Sequence, residues 1–168
     1  LGRFLRGAGA AASGKTLIVR INALDTPHAE ADLQAIAQPG VHLVNLPKPA
    51  VAVVHGVAAG VGVSLALGCD IILASEKSSF LLAFTKIGLM PDGGASALVA
   101  ASIGRARAMR MALLAEKLPA AEALAAGLVS SVHAADELDA EVDRVLATLK
   151  SGPAVALRKT KQAINDAT

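Results

Sequence analysis

The chain has 168 residues, of which 54% are hydrophobic but only 2% aromatic, with neither Trp nor Tyr. That length suffices for one domain with a real core, and the core must be built from Ala, Val, Leu and Ile. Sixteen Lys and Arg against 14 Asp and Glu give a net charge of +2, too weak a field to gather nucleic acid or an anionic membrane, and base stacking has almost no rings to use. The single cysteine, Cys69, excludes an internal disulfide and a multi-cysteine zinc site. No metal is therefore expected, and a reducing, cytoplasmic setting is the natural one. The longest apolar stretch, 50–67, is interrupted by His55, Gly56, Gly60, Gly62 and Ser64, so no membrane span is expected.

In chain order, LGRFLRGAGAAASG is basic, rich in small residues and a poor signal peptide. Residues 1–15 are read as a flexible lead-in. TLIVRI (16–21) is β-branched and predicts a strand. Asp25 and Thr26 are cap candidates ahead of a helix in HAEADLQAIAQ, which stops at Pro39-Gly40. VHLVNL (41–46) and AVAVV (50–54) predict strands. Gly56 then opens a Gly- and Ala-rich turn into a helix over about 60–67. DIILAS (70–75) predicts a strand, and SFLLAF a shorter extended piece. After Pro91, GGASALVAASIG and RARAMRMALLAE predict two helices, and PAAEALAAG a third that ends at Gly127. Leu138, Val142, Val145, Leu146 and Leu149 line one face of a helix over 136–150. Gly152-Pro153 breaks it before a last helix through VALRKTKQAIN. Strands alternating with helices, then helices alone, make an α/β chain with a helical C-terminal part.

GAAASGKT (9–16) fits G-x-x-x-x-G-K-T, the phosphate-cradling loop of nucleotide hydrolases. Such a loop needs a strand before it and a helix after it, so that amide groups converge on the phosphates. Here a poor strand precedes it and a good strand follows. Lys15 is read as part of the polar lead-in.

The stretch KPAVAVVHG, GVAAGVGVSLAL, CDIILAS, F-x-x-x-F-x-K-I-G-L-x-P-D-G-G and IGRARAMRMALLAEKLPAAEALAAGLV resembles the crotonase family, the enoyl-CoA hydratases and isomerases. The resemblance is continuous over 48–168, and NALDTPHAEADLQAIAQPGVHLV extends it more weakly upstream. It implies a spiral of β-β-α turns over 16–130, with a segment missing near 45–47. It also implies a helical region over 131–168 that mediates trimer contacts. An acyl-CoA thioester is the implied substrate, coenzyme A belongs to that substrate, and no separate cofactor is implied. A homotrimer or hexamer is the implied assembly. The family's oxyanion hole uses two backbone N–H groups to hold the thioester oxygen as an enolate forms, and one maps to Val61. Gly60 and Gly62 suit a close backbone approach, although tight helix–sheet packing would explain them equally.

Two departures bear on the chemistry. The two glutamates with which the family's hydratases handle water fall at Ser64 and Phe84, and neither side chain can act as a carboxylate acid or base. Asp92, in MPDGG, occupies a place where some isomerases of the family carry a catalytic aspartate, and AFTKIGLMPDGG looks most like the isomerases of the phenylacetate-degradation branch. One carboxylate suffices for an allylic proton shift. Leu82, Phe84 and Met90 are expected to keep bulk water from it and raise its pKa. Asp92 reads equally as the N-cap of the following helix. The second departure lies between VHLV and LPKPAV, where the family carries the loop with its other oxyanion donor. Among the remaining polar groups, Ser64 lacks a His-Asp partner, His55 is read as a satisfied near-core histidine and Cys69 as a packed thiol. Asp70 is read as a backbone acceptor at a strand start. Arg158, Lys159 and Lys161 are read as a solvated basic face. The expectation is a double-bond isomerase that uses Asp92. The alternatives are a hydratase-like member of other activity, or a non-catalytic acyl-CoA-binding or assembly subunit.

Overall fold

The structure is a computed structural model, and it describes the backbone of 17–22 and residues 47–167. The expected lead-in, Lys15, the helix in HAEADLQAIAQ, the strand over 41–46 and the short connection near 45–47 lie outside the described residues. Strand β1 spans Leu17–Asn22 and β2 spans Ala50–His55. Both run parallel to β4, Ile71–Ser75, and β7, Ser131–His133, in a sheet of order β1-β2-β4-β7. The register aligns Leu17 with Ala50, Val51 with Ile71 and Leu73 with Ser131.

Parallel strands are covered on both faces and so read as continuous apolar runs. Five of the six β2 residues are accordingly buried, with only His55 exposed. Alternation along β2 sends its residues into two cores. Ala50, Ala52 and Val54 join Ala58, Val63, Phe80, Leu82, Val99 and Met111. Val51 and Val53 join Leu73 and one face of helix α4, Leu138–Ser151, through Leu138, Val142, Val145 and Leu146. Each of those four side chains contributes about 1.5–3 kcal/mol by leaving water.

A second sheet carries the spiral. At Gly56, φ is 92°, a conformation that side chains rarely adopt, and the chain turns there into β3, Val57–Ala59. Strand β3 pairs in parallel with β5, Ser79–Leu81, and β5 pairs antiparallel with β6, Leu118–Pro119. Two successive turns of chain thus each give one strand to each sheet. Serines hold the corner between them: Ser78 Oγ donates to the Val54 carbonyl at 2.8 Å and lies 3.0 Å from Ser75 Oγ. Ser79 Oγ is buried there and has no partner among the described residues.

Helix α1 spans Val61–Leu67, α2 spans Ala95–Leu113, α3 spans Ala120–Ala126 and α5 spans Ala154–Ala167. Gly104, at φ 77° and ψ 158°, breaks α2 between the two helices expected from the sequence. Gly127 ends α3 in the left-handed conformation, as its position implied. Three short strands were not expected. Strand β3 lies in what read as a turn, β6 lies ahead of α3, and β7 lies in the part that read as helical, so the sheet reaches past residue 130. No helix among the described residues is long and apolar enough to cross a membrane.

Candidate active site

The site is built where β3 runs into α1. Gly60, at φ 54°, turns the chain, and its N–H donates to the Leu81 carbonyl at 2.9 Å, tying the turn to β5. A β-carbon on Gly60 would lie 3.4 Å from the Phe84 ring, so the ring covers this turn in ordinary contact. Val61 opens α1, and its N–H has no acceptor within the helix. The first N–H of α1 to be satisfied by the turn is that of Val63, which donates to Gly60 at 3.0 Å.

One helical turn on, Ser64 is 7% exposed and its Oγ donates to the Asp92 carbonyl at 3.4 Å. Gly93 fits against it: a β-carbon there would lie 3.3 Å from Ser64 Oγ. The segment 91–94 therefore packs on α1 through the Ser64 hydroxyl. Gly93 and Gly94, at φ 57° and 82°, close a tight turn in which the Ala95 N–H donates to the Asp92 carbonyl at 2.9 Å. Successive left-handed residues are the reason this turn needs two glycines.

Two expectations for Asp92 are corrected. Gly94, not Asp92, holds the N-cap position of α2, and no side chain caps the helix. Asp92 contributes its carbonyl to the turn and leaves its carboxylate without a capping role. Nor do apolar neighbours enclose it. Asp92 is exposed among the described residues, Met90 is 76% exposed, and Leu82 is wholly committed to the core. Leu82 lies in the core with Phe84 packed against it, and Met90 stands at the surface, on the rim ahead of Pro91 and Asp92. A 3-10 turn over Phe84–Ile87 carries the rim. Thr85 anchors it by donating to the Ala112 carbonyl at 3.2 Å.

The remaining sequence candidates fall elsewhere. His55 is exposed at the end of β2, not near the core. Cys69 is packed as expected, its thiol donating to the Leu65 carbonyl at 3.4 Å. Burial, reinforced by the Asp70 charge and opposed by Lys161, pushes that thiol up to about 12. Asp70 accepts from the Ala50 N–H at 2.7 Å, the strand-start role expected of it. Lys161 departs from the expected basic face, because its side chain is 8% exposed and its Nζ lies 2.9 Å from Asp70 Oδ2. Arg158 and Lys159 are exposed. Sequence reading missed the hydrogen bond between His133 Nε2 and Ser131 Oγ, 2.7 Å long, which alternate positions on one strand make possible. Among the described residues no group of three or more His, Cys, Asp or Glu side chains is placed to hold a metal ion.

The comparisons with known proteins agree with this architecture. The profile of the enoyl-CoA hydratase/isomerase family matches residues 7–168. The 1,2-epoxyphenylacetyl-CoA isomerase of Escherichia coli K12 is 42% identical over 125 residues, covering 74% of this chain and 48% of that protein. The crystal structure of an enoyl-CoA hydratase from Mycobacterium avium subsp. paratuberculosis K-10 is 56% identical. It covers 96% of this chain and 68% of its own, with a TM-score of 0.76. A Thermobifida fusca YX structure in complex with acetoacetyl-CoA is 36% identical, with a TM-score of 0.71, over 74% of this chain and 49% of its own. The chain spans about half the length of the curated relatives it matches. Over the part they share, sequence and fold agree, and the chain belongs to the enoyl-CoA hydratase/isomerase family.

Proposed function

We propose that the chain carries the acyl-CoA site of a double-bond isomerase with Asp92 as its base. The observation that supports this reading is the packing of the Asp92 turn on α1 through Ser64, beside the helix start where Val61 offers an N–H. The thioester carbonyl of a 3-enoyl-CoA accepts from Val61. Asp92 takes a proton from C2, the electron pair spreads through the double bond as a dienolate, and the proton returns at C4 to leave the 2-enoyl isomer. One carboxylate serves both transfers. Ser64 and Phe84 supply no second carboxylate to activate water, which is why isomerisation is preferred to hydration. Because Asp92 is exposed, the proton it holds exchanges with solvent between the two steps.

The test is to incubate a 3-enoyl-CoA in heavy water with the protein and with Asp92→Asn. Deuterium at C2 and C4 is expected with the unaltered chain, and a rate about 10²–10⁴-fold lower with the variant. Equal rates would overturn the assignment of the base. The exposure of Asp92 favours a second reading, a non-catalytic acyl-CoA-binding subunit, and bound acyl-CoA without exchange in either sample would select it. An assembly of three or six like chains is part of the proposal. It is supported by the apolar rim beside the site, where Ile87, Leu89, Leu113 and Leu114 are 72%, 57%, 64% and 59% exposed. A cytoplasmic setting, supported by the single free thiol, completes it.

A further inference from the structure

Helix α5 has no buried residue, yet in its middle stands a lysine that is nearly so. The Lys161 side chain is 8% exposed and that of Asp70 is 24% exposed. Lys161 Nζ donates to at least two oxygens, Asp70 Oδ2 at 2.9 Å and the Lys48 carbonyl at 3.2 Å. The same Asp70 Oδ2 takes the Ala50 N–H at 2.7 Å. One carboxylate thus joins the last helix of the chain to the starts of β2 and β4. An ammonium withdrawn from water is tolerated only where an opposite charge and further acceptors meet it.

We propose that Asp70 and Lys161 form a latch, and that opening it frees α5 while the sheet stays folded. The two ends of the latch differ in what else holds them. Strands β2 and β4 are fixed by their parallel ladder and by Val51, Val53 and Leu73 packed under α4. Asp70 keeps its bond to the Ala50 N–H when the lysine leaves. Helix α5 buries no residue fully, with Val155 66% exposed, Lys159 exposed and Leu157 half-buried. Elements with little buried apolar area open at lower free energy than the core. The latch also fixes the walls of a groove of about 180 Å³, with Pro47, Lys48 and Pro49 on one side and Ala154, Val155 and Leu157 on the other. Releasing Lys161 from the Lys48 carbonyl lets those walls part.

Amide hydrogen exchange on the 168-residue chain tests the proposal, with Lys161→Met, Asp70→Asn and, as a control on the exposed side of the helix, Lys159→Met. Exchange across 154–167 is expected to quicken about tenfold or more in Lys161→Met and Asp70→Asn. In both, β2, β4 and α4 are expected to keep their protection, and Lys159→Met to match the unaltered chain. Asp70→Asn isolates the charge, because its amide oxygen still accepts from the Ala50 N–H. Unchanged exchange in α5 would overturn the proposal. So would equal acceleration of α5 and the sheet, or failure of both Lys161→Met and Asp70→Asn to fold, since each would make the pair a support of the whole fold.

Discussion

Strand β2 and the rim over 85–90 are both rich in aliphatic residues, and they have opposite fates. Five of the six β2 side chains are buried, whereas every residue from 85 to 90 is exposed. The difference is in what their backbones do. The β2 amides are consumed by parallel neighbours on both sides, so its side chains are pressed between two layers. The rim is held by one 3-10 turn and the Thr85 hydroxyl, which leaves Ile87, Leu89 and Met90 facing outward. Backbone pairing is thus dense in β2 and sparse in the rim, and the rim's apolar side chains stay at the surface.

That contrast can be broken most directly by truncation. Phe80→Ala, at a fully buried position, is expected to cost about 3–5 kcal/mol in urea unfolding. Met90→Ala, at 76% exposure, should stay within about 0.5 kcal/mol. Comparable losses would mean that the rim is packed in solution. A smaller effect follows from Cys69. Its folded-state pKa is raised from the ordinary 9.0 to about 12, so between those values the folded chain keeps a proton that the unfolded chain gives up. Its contribution to stability is full below pH 9.0 and lost as pH rises toward about 12. Cys69→Ala should flatten that part of the stability–pH curve, and a curve with the same slope would place the titrating group elsewhere. The smallest change sharpens the picture of the corner. Ser79→Ala removes a buried hydroxyl without a partner among the described residues and is expected to be neutral or stabilising by about 1 kcal/mol. A clear loss would reveal a bound water there.

The long elements were legible because each carries enough residues to declare a period. Strands β2 and β4 show as apolar runs and α4 as a 3.6-residue stripe. Strands β3, β6 and β7 have two or three residues, too few for alternation, and they exist because a neighbouring strand offers open amides. Gly60, Val61, Ser64 and Phe84 are singled out by the family resemblance, and in the structure Gly60 lies against Phe84 and Ser64 against the Asp92 turn. Which atom of Asp92 would meet Ser64 was not legible, since that depends on two successive left-handed glycines. Nor could RKTK say which cation turns inward. The partner of Lys161 is 91 positions away, and only the docking of α5 selects it.

The corner at Gly56 keeps the pairing of both sheets local in the chain. Because each turn of the spiral lays one strand beside its predecessor in both sheets, the ladder from β2 to β4 and from β3 to β5 is complete without reference to what precedes β2. Strand β1 adds to that ladder in parallel register. The strand-to-helix corner at which the chemistry is proposed is therefore braced by pairings made within the segment from β2 to β5.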